Sequence, residues 1–102
     1  MNRKVLIISN PGKGENYCEG VNKDVENYKA FFTSALGGGW YMNEIKHLHC
    51  PNQYSVTAEL DLMKDVDYSI VIFCGHGYYS SNFDETIVEL QDNIDYRTSH
   101  FR

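Results

Sequence analysis

Apolar positions along this chain fall into short unbroken runs and helix-spaced stripes, in alternation. Val5-Leu6-Ile7-Ile8 is a continuous apolar run within Arg3–Ser9, closed by Asn10-Pro11-Gly12. A run without alternation, ended by turn residues, predicts a strand buried on both faces. Pro11–Gly20 carries three glycines and no apolar period, so a long loop is expected at the carboxyl end of that strand. Val21, Val25, Tyr28, Phe32, Ala35 and Leu36 then recur at helical spacing, with Asn22 as N-cap and Gly37-Gly38-Gly39 as the stop. Trp40–Leu48 alternates loosely through Met42, Ile45 and Leu48 and predicts a second strand. After Pro51-Asn52, the stripe Val56, Leu60, Met63 predicts a second helix that starts near Ser55 or Thr57. Tyr68–Cys74 is the most strand-like segment, and Gly75-His76-Gly77 ends it abruptly. A weaker run, Thr86–Leu90, predicts one strand of a hairpin.

The order strand–helix–strand–helix–strand implies right-handed crossovers and a mainly parallel sheet, an α/β/α sandwich of three layers in a single domain over residues 1–102. In such sheets ligands meet the chain at the carboxyl ends of the strands. Two segments converge there: the Pro11–Gly20 loop and Gly75-His76-Gly77.

Composition narrows the partners. Apolar residues make up 42% and aromatics 14% of the chain, which excludes disorder and supports a packed core. The formal net charge of −5, without a basic stripe, disfavours nucleic acid or an anionic membrane surface as partner. No apolar run approaches a membrane span. Val5–Ile8 is too short for the apolar stretch of about 7–15 residues that a signal peptide needs. Three cysteines at scattered spacings suit a reduced, cytoplasmic chain.

His76 is the first candidate for chemistry. Glycines on both sides let the backbone turn and leave room beside the imidazole. A histidine so placed can take a proton from a nucleophile, and the next backbone N–H can face a developing oxyanion. The plainer reading is a glycine-rich turn that contains a histidine, and the tripeptide alone leaves both open. His47-x-His49-Cys50 contains three competent metal ligands. On a strand, however, His47 and His49 share a face while Cys50 points away, so an exposed strand end is expected and no metal. Asn10-Pro11-Gly12-Lys13-Gly14-Glu15 resembles a phosphate loop but lacks the Ser or Thr that must follow Gly-Lys, and Glu15 adds negative charge. No cofactor is expected.

Lys4-Val5-Leu6-Ile7-Ile8, Gly20-Val21-Asn22-Lys23-Asp24-Val25 and Asp67–Gly77, in this order, resemble the first half of a caspase-like cysteine peptidase, with the metacaspase branch the closer likeness. The likeness runs over about residues 4 to 90. It implies a caspase-like sandwich, incomplete here, a catalytic role for His76 and an oxyanion-hole role for the Gly77 N–H. It also implies that Asp24 helps line an acidic pocket for a substrate Arg or Lys side chain. Caspases that cut after Asp place an arginine a few residues earlier, where this chain reads Tyr17-Cys18-Glu19, so cleavage after a basic residue is the expectation. The plainer reading of Asp24 is a first-turn acid favoured by the helix dipole, and both can hold together.

The family's nucleophilic cysteine lies about 50 residues after the histidine, which from His76 is past Arg102. The thiol is therefore expected from outside this chain, from a Cys-bearing segment or a second subunit, and the chain alone is expected to be inactive. Two candidate reactive thiols remain within it. Cys74 stands two residues before His76, where the family usually has Ser, and its plainer reading is a small buried hydrophobe. Cys18 sits in the loop beside the expected site. Cys50 has no family role. The expected function is thus the histidine-bearing part of a cysteine endopeptidase acting on protein or peptide substrates. The alternative is a non-catalytic caspase-like interaction or regulatory module, a decoy or subunit, since half such a sheet leaves an open strand edge. A small flavodoxin-like binding domain shares the sandwich, but the first loop lacks phosphate-binding hydroxyls.

Overall fold

A computed structural model of the chain describes residues 2–83, 85–91 and 94–97. The apolar run at the start forms β1 (Arg3–Asn10), followed by α1 (Glu19–Thr33), β2 (Ile45–His49), α2 (Gln53–Met63) and β3 (Tyr68–Gly75). Three short strands complete the order: β4 (Gly77–Ser80), β5 (Glu85–Gln91) and β6 (Ile94–Arg97). The first three strands make a parallel sheet in the order β2-β1-β3, and the last three an antiparallel sheet in the order β4-β5-β6. The protein is a small α/β domain built on the parallel sheet.

β1 is central because it is apolar on both sides. Val5, Leu6, Ile7 and Ile8 are each fully buried, and burial of each such side chain contributes about 1.5–3 kcal/mol. Strand alternation sends them to two cores. Val5 and Ile7 pack with Val21, Val25 and Phe32 of α1, with Trp40, and with Cys74 of β3. Leu6 and Ile8 pack with Val56 and Met63 of α2 and with Val88, Leu90 and Tyr96 of the second sheet. One helix therefore covers one face, while the other helix and the antiparallel sheet share the opposite face.

Element boundaries differ from expectation for local reasons. Asn22 does not cap α1; the helix starts earlier, with Cys18 at the N-cap position, where the Cys18 N–H donates to the Pro11 carbonyl at 2.7 Å. Asn22 lies inside the first turns and its amide donates to the Tyr17 hydroxyl at 3.0 Å. The helix also ends before Ala35 and Leu36. The Thr33 hydroxyl donates to the Lys29 carbonyl at 2.9 Å and the Ser34 hydroxyl to the Phe31 carbonyl at 2.6 Å. These side chains compete with the next helical N–H groups, and Leu36 is left 95% exposed.

The second strand is shorter than Trp40–Leu48. Trp40 is a core residue, edge-on to Phe32 at 5.8 Å and covered by the Arg3 guanidinium at 4.2 Å. Met42–Glu44 forms a 3-10 turn, in which the Tyr41 N–H donates to Glu44 Oε1 at 2.8 Å. α2 begins at Gln53 because Asn52 Oδ1 accepts the Ser55 N–H at 2.8 Å, a side-chain N-cap. The hairpin expected around Thr86–Leu90 is a three-stranded sheet.

Candidate functional site

β1 and β3 end side by side, with Asn10 opposite Gly75. His76 is the single residue between β3 and β4, so the chain passes from one sheet to the other at this imidazole. Both flanking glycines are dictated by close backbone approach. A Cβ on Gly75 would lie 2.6 Å from the Asn10 carbonyl oxygen, and one on Gly77 would lie 2.8 Å from the Ile87 carbonyl oxygen. The Gly-His-Gly signature is thus the point where two strand backbones press on a corner from opposite sides.

The corner is held by hydrogen bonds. The Glu89 N–H donates to the His76 carbonyl at 3.0 Å. His76 Nε2 lies 3.3 Å from the Pro11 carbonyl oxygen. A carbonyl only accepts, so Nε2 carries the proton in this contact and the neutral ring keeps its lone pair on Nδ1. That is the form needed to receive a proton from a nucleophile. The imidazole borders a cleft of about 290 Å3 lined by Asn10, Gly12, Lys13, Gly77, Tyr78 and Glu89. The two loop segments expected to converge at the carboxyl ends of the strands therefore share one cleft.

The remaining candidates are dispersed. Cys74 is 7% exposed and belongs to the core beneath α1. Burial pushes its thiol pKa up, and the negative charge of Asp24 pushes the same way. Cys18 is exposed at the start of α1. Cys50 donates its thiol to Asn10 Oδ1 at 3.6 Å, and burial raises its pKa. No cysteine is among the residues lining the cleft. Asp24 does not line it either; with Asn27, Tyr28 and Phe31 it borders a separate hollow of about 340 Å3 on α1. Glu19 receives hydrogen bonds from the Tyr17 hydroxyl and the Asn22 amide.

A second histidine group lies on the α1 face of the sheet end. The fully buried Ser9 hydroxyl is 2.7 Å from His47 Nε2 and 3.1 Å from His49 Nδ1. Burial, and after it the positive charges of Lys29 and His49, hold His47 below its ordinary pKa, against the pull of Glu26. Among the described residues no group of three or more His, Cys, Asp or Glu is placed to hold a metal ion. Nor, among the described residues, is any helix long and apolar enough to cross a membrane.

Pattern reading missed Ser9 and Asn10. Asn10 is 5% exposed, accepts the Gly12 N–H at 3.1 Å and donates to the Glu89 carbonyl at 2.9 Å. Its signal is faint: a polar residue directly after an apolar run and before Pro-Gly, which reads as the start of a loop. No protein-family model, curated protein or solved structure matches the chain.

Proposed function

We propose that the chain is the histidine-bearing part of a caspase-like cysteine endopeptidase that cleaves after a basic residue. The observation that carries the reading is His76 itself: an Nε2–H donated to the Pro11 carbonyl, with Nδ1 as the basic nitrogen, at the border of a cleft where two strands end. In the reaction, Nδ1 takes the proton of a cysteine thiol and the thiolate attacks the peptide carbonyl carbon. The oxyanion is met by the Gly77 N–H. The imidazolium then gives its proton to the leaving amine as the C–N bond breaks, and water later releases the acyl group. On this reading the thiol comes from outside residues 1–102: Cys74 is buried with a raised pKa, Cys50 is engaged with Asn10, and Cys18, though exposed at the start of α1, is not among the residues lining the cleft. A basic preference is supported by Glu89 at the cleft; Asp24 borders a separate hollow on α1 and is not part of it.

Two measurements on the chain test this. Arg-ended and Asp-ended fluorogenic peptides are expected to show no turnover; turnover abolished by His76→Ala would place the nucleophile within the chain. An Arg-ended peptide amide is expected to shift the His76 and Gly77 amide resonances, and an Asp-ended one to leave them in place. Absence of any shift at these residues overturns the reading.

A second reading, a non-catalytic module of the same family, is favoured by the outer edge of β3. It is unpaired among the described residues and carries no charge, and Ile70, Val71, Ile72 and Phe73 are only partly buried. Uncharged edges invite strand pairing. Light scattering on a sizing column separates the readings: a partner-dependent module is expected above monomer mass at micromolar concentration.

A further inference from the structure

We infer that Asn10 is a positioning residue that fixes the His76 imidazole through the Pro11 carbonyl, an inference that rests on the proposed role of His76. Asn10 Oδ1 accepts the Gly12 N–H at 3.1 Å and so closes an Asx turn across Pro11. This turn sets the plane of the Pro11 peptide and thus the direction of its carbonyl. That carbonyl has two lone pairs, and both are used. One accepts the Cys18 N–H at 2.7 Å, which anchors the start of α1; the other faces His76 Nε2 at 3.3 Å.

The other end of the Asn10 amide acts on the same histidine by a different path. Nδ2 donates to the Glu89 carbonyl at 2.9 Å, and the Glu89 N–H donates to the His76 carbonyl at 3.0 Å. The contacts close a circuit: Asn10 to the Pro11 carbonyl, to the imidazole, along the His76 backbone, to Glu89 and back to Asn10. One buried amide therefore sets both the ring contact and the backbone contact of His76. An amide is the group this position needs, because one end must accept from an N–H while the other donates to a carbonyl. The Cys50 thiol adds a donor to Oδ1 at 3.6 Å. A buried polar side chain whose oxygen and nitrogen are both engaged is held in one geometry.

The readout is the exchange rate of the His76 Nε2–H proton with water, followed by NMR on the whole chain with labelled histidine. Asn10→Ala is expected to speed this exchange about tenfold, the loss of one hydrogen bond's protection, while the Ile7 and Ile8 amides keep theirs. A purely structural role would speed all of them together. Asn10→Asp keeps an acceptor for Gly12 but turns a carboxylate oxygen toward the Glu89 carbonyl in place of the donor, and is expected to speed the exchange less than Asn10→Ala does. Unchanged exchange in a folded Asn10→Ala chain overturns the inference. If Asn10→Ala does not fold, Asn10→Asp decides: exchange as slow as in the parent supports the Asx turn as the anchor, and exchange as fast as in free histidine overturns it. The measurement needs neither substrate nor thiol, so it stands or falls apart from the peptide-shift test of His76.

Discussion

Ser9 and Asn10 are consecutive buried residues of one strand, yet each serves a different histidine site. Strand alternation turns them to opposite faces. Ser9 faces α1 and bridges His47 and His49 with a single hydroxyl. Asn10 faces the second sheet and supports His76 at a cleft. In the first site both imidazoles meet one buried hydroxyl, and burial holds His47 below its ordinary pKa. The second leaves Nδ1 of His76 without a fixed role in its contact and gives the ring a neighbouring space. Histidine at a strand end is thus not by itself a functional sign. The difference lies in what the ring contacts: a buried hydroxyl shared by two rings in one site, a backbone carbonyl at the border of a cleft in the other.

The largest expected effect comes from removing the approach that both sites share. Gly75→Ala puts a methyl 2.6 Å from the Asn10 carbonyl oxygen and 3.2 Å from its nitrogen. Backbone atoms cannot step aside as a side chain can, so β1 and β3 must part at their carboxyl ends. A loss of about 1–3 kcal/mol is expected from urea unfolding, together with changed amide resonances at both Ser9 and His76. A perturbation confined to His76 would show that the two sites are mechanically separate.

A smaller effect is expected at the Ser9 site alone. Ser9→Ala removes the hydroxyl shared by His47 and His49 and is expected to lower stability by about 1–2 kcal/mol. His76 Nε2–H exchange should stay as it was, because Ser9 points to the other face. A faster His76 exchange in this variant would break the proposed division of the strand end into two sites.

How much of this was legible follows the same division. β1 and β3 were readable because Val5–Ile8 and Tyr68–Cys74 are runs of residues that a buried strand prefers. His76 was readable because Gly-His-Gly interrupts such a run. The end of α1 was not: Ala35 and Leu36 continue the helical spacing, and only the hydroxyls of Thr33 and Ser34 break it. Trp40 looked like the start of a strand, but its ring is drawn into the core by Phe32 and Arg3. The strands on either side of β5 are short, four residues each, too few for an alternation to stand out. The roles of Ser9 and Asn10 depend on partners 38 to 79 residues away in the chain, which no local pattern records.

The smallest effect tests the Ser9 site by pH. His47 is held below its ordinary pKa, first by burial and then by Lys29 and His49. Between the unfolded value, about 6.5, and the lower folded value, the unfolded chain binds more protons than the folded one. Stability is therefore full above about pH 6.5 and is lost as pH falls through the folded value. The hydroxyl chemistry agrees in direction. Ser9 has one proton to donate, so it can satisfy one imidazole lone pair while accepting from the other ring, and two imidazolium rings would leave its O–H with no acceptor there. Glu44, held below the ordinary carboxylate range chiefly by its hydrogen bond to Arg3, acts in the same direction at lower pH, so its contribution is separable. Urea midpoints measured between pH 7.5 and pH 5 are expected to decline with falling pH, and His47→Gln to flatten that decline. An unchanged slope in His47→Gln would overturn the assignment of this decline to the Ser9 site.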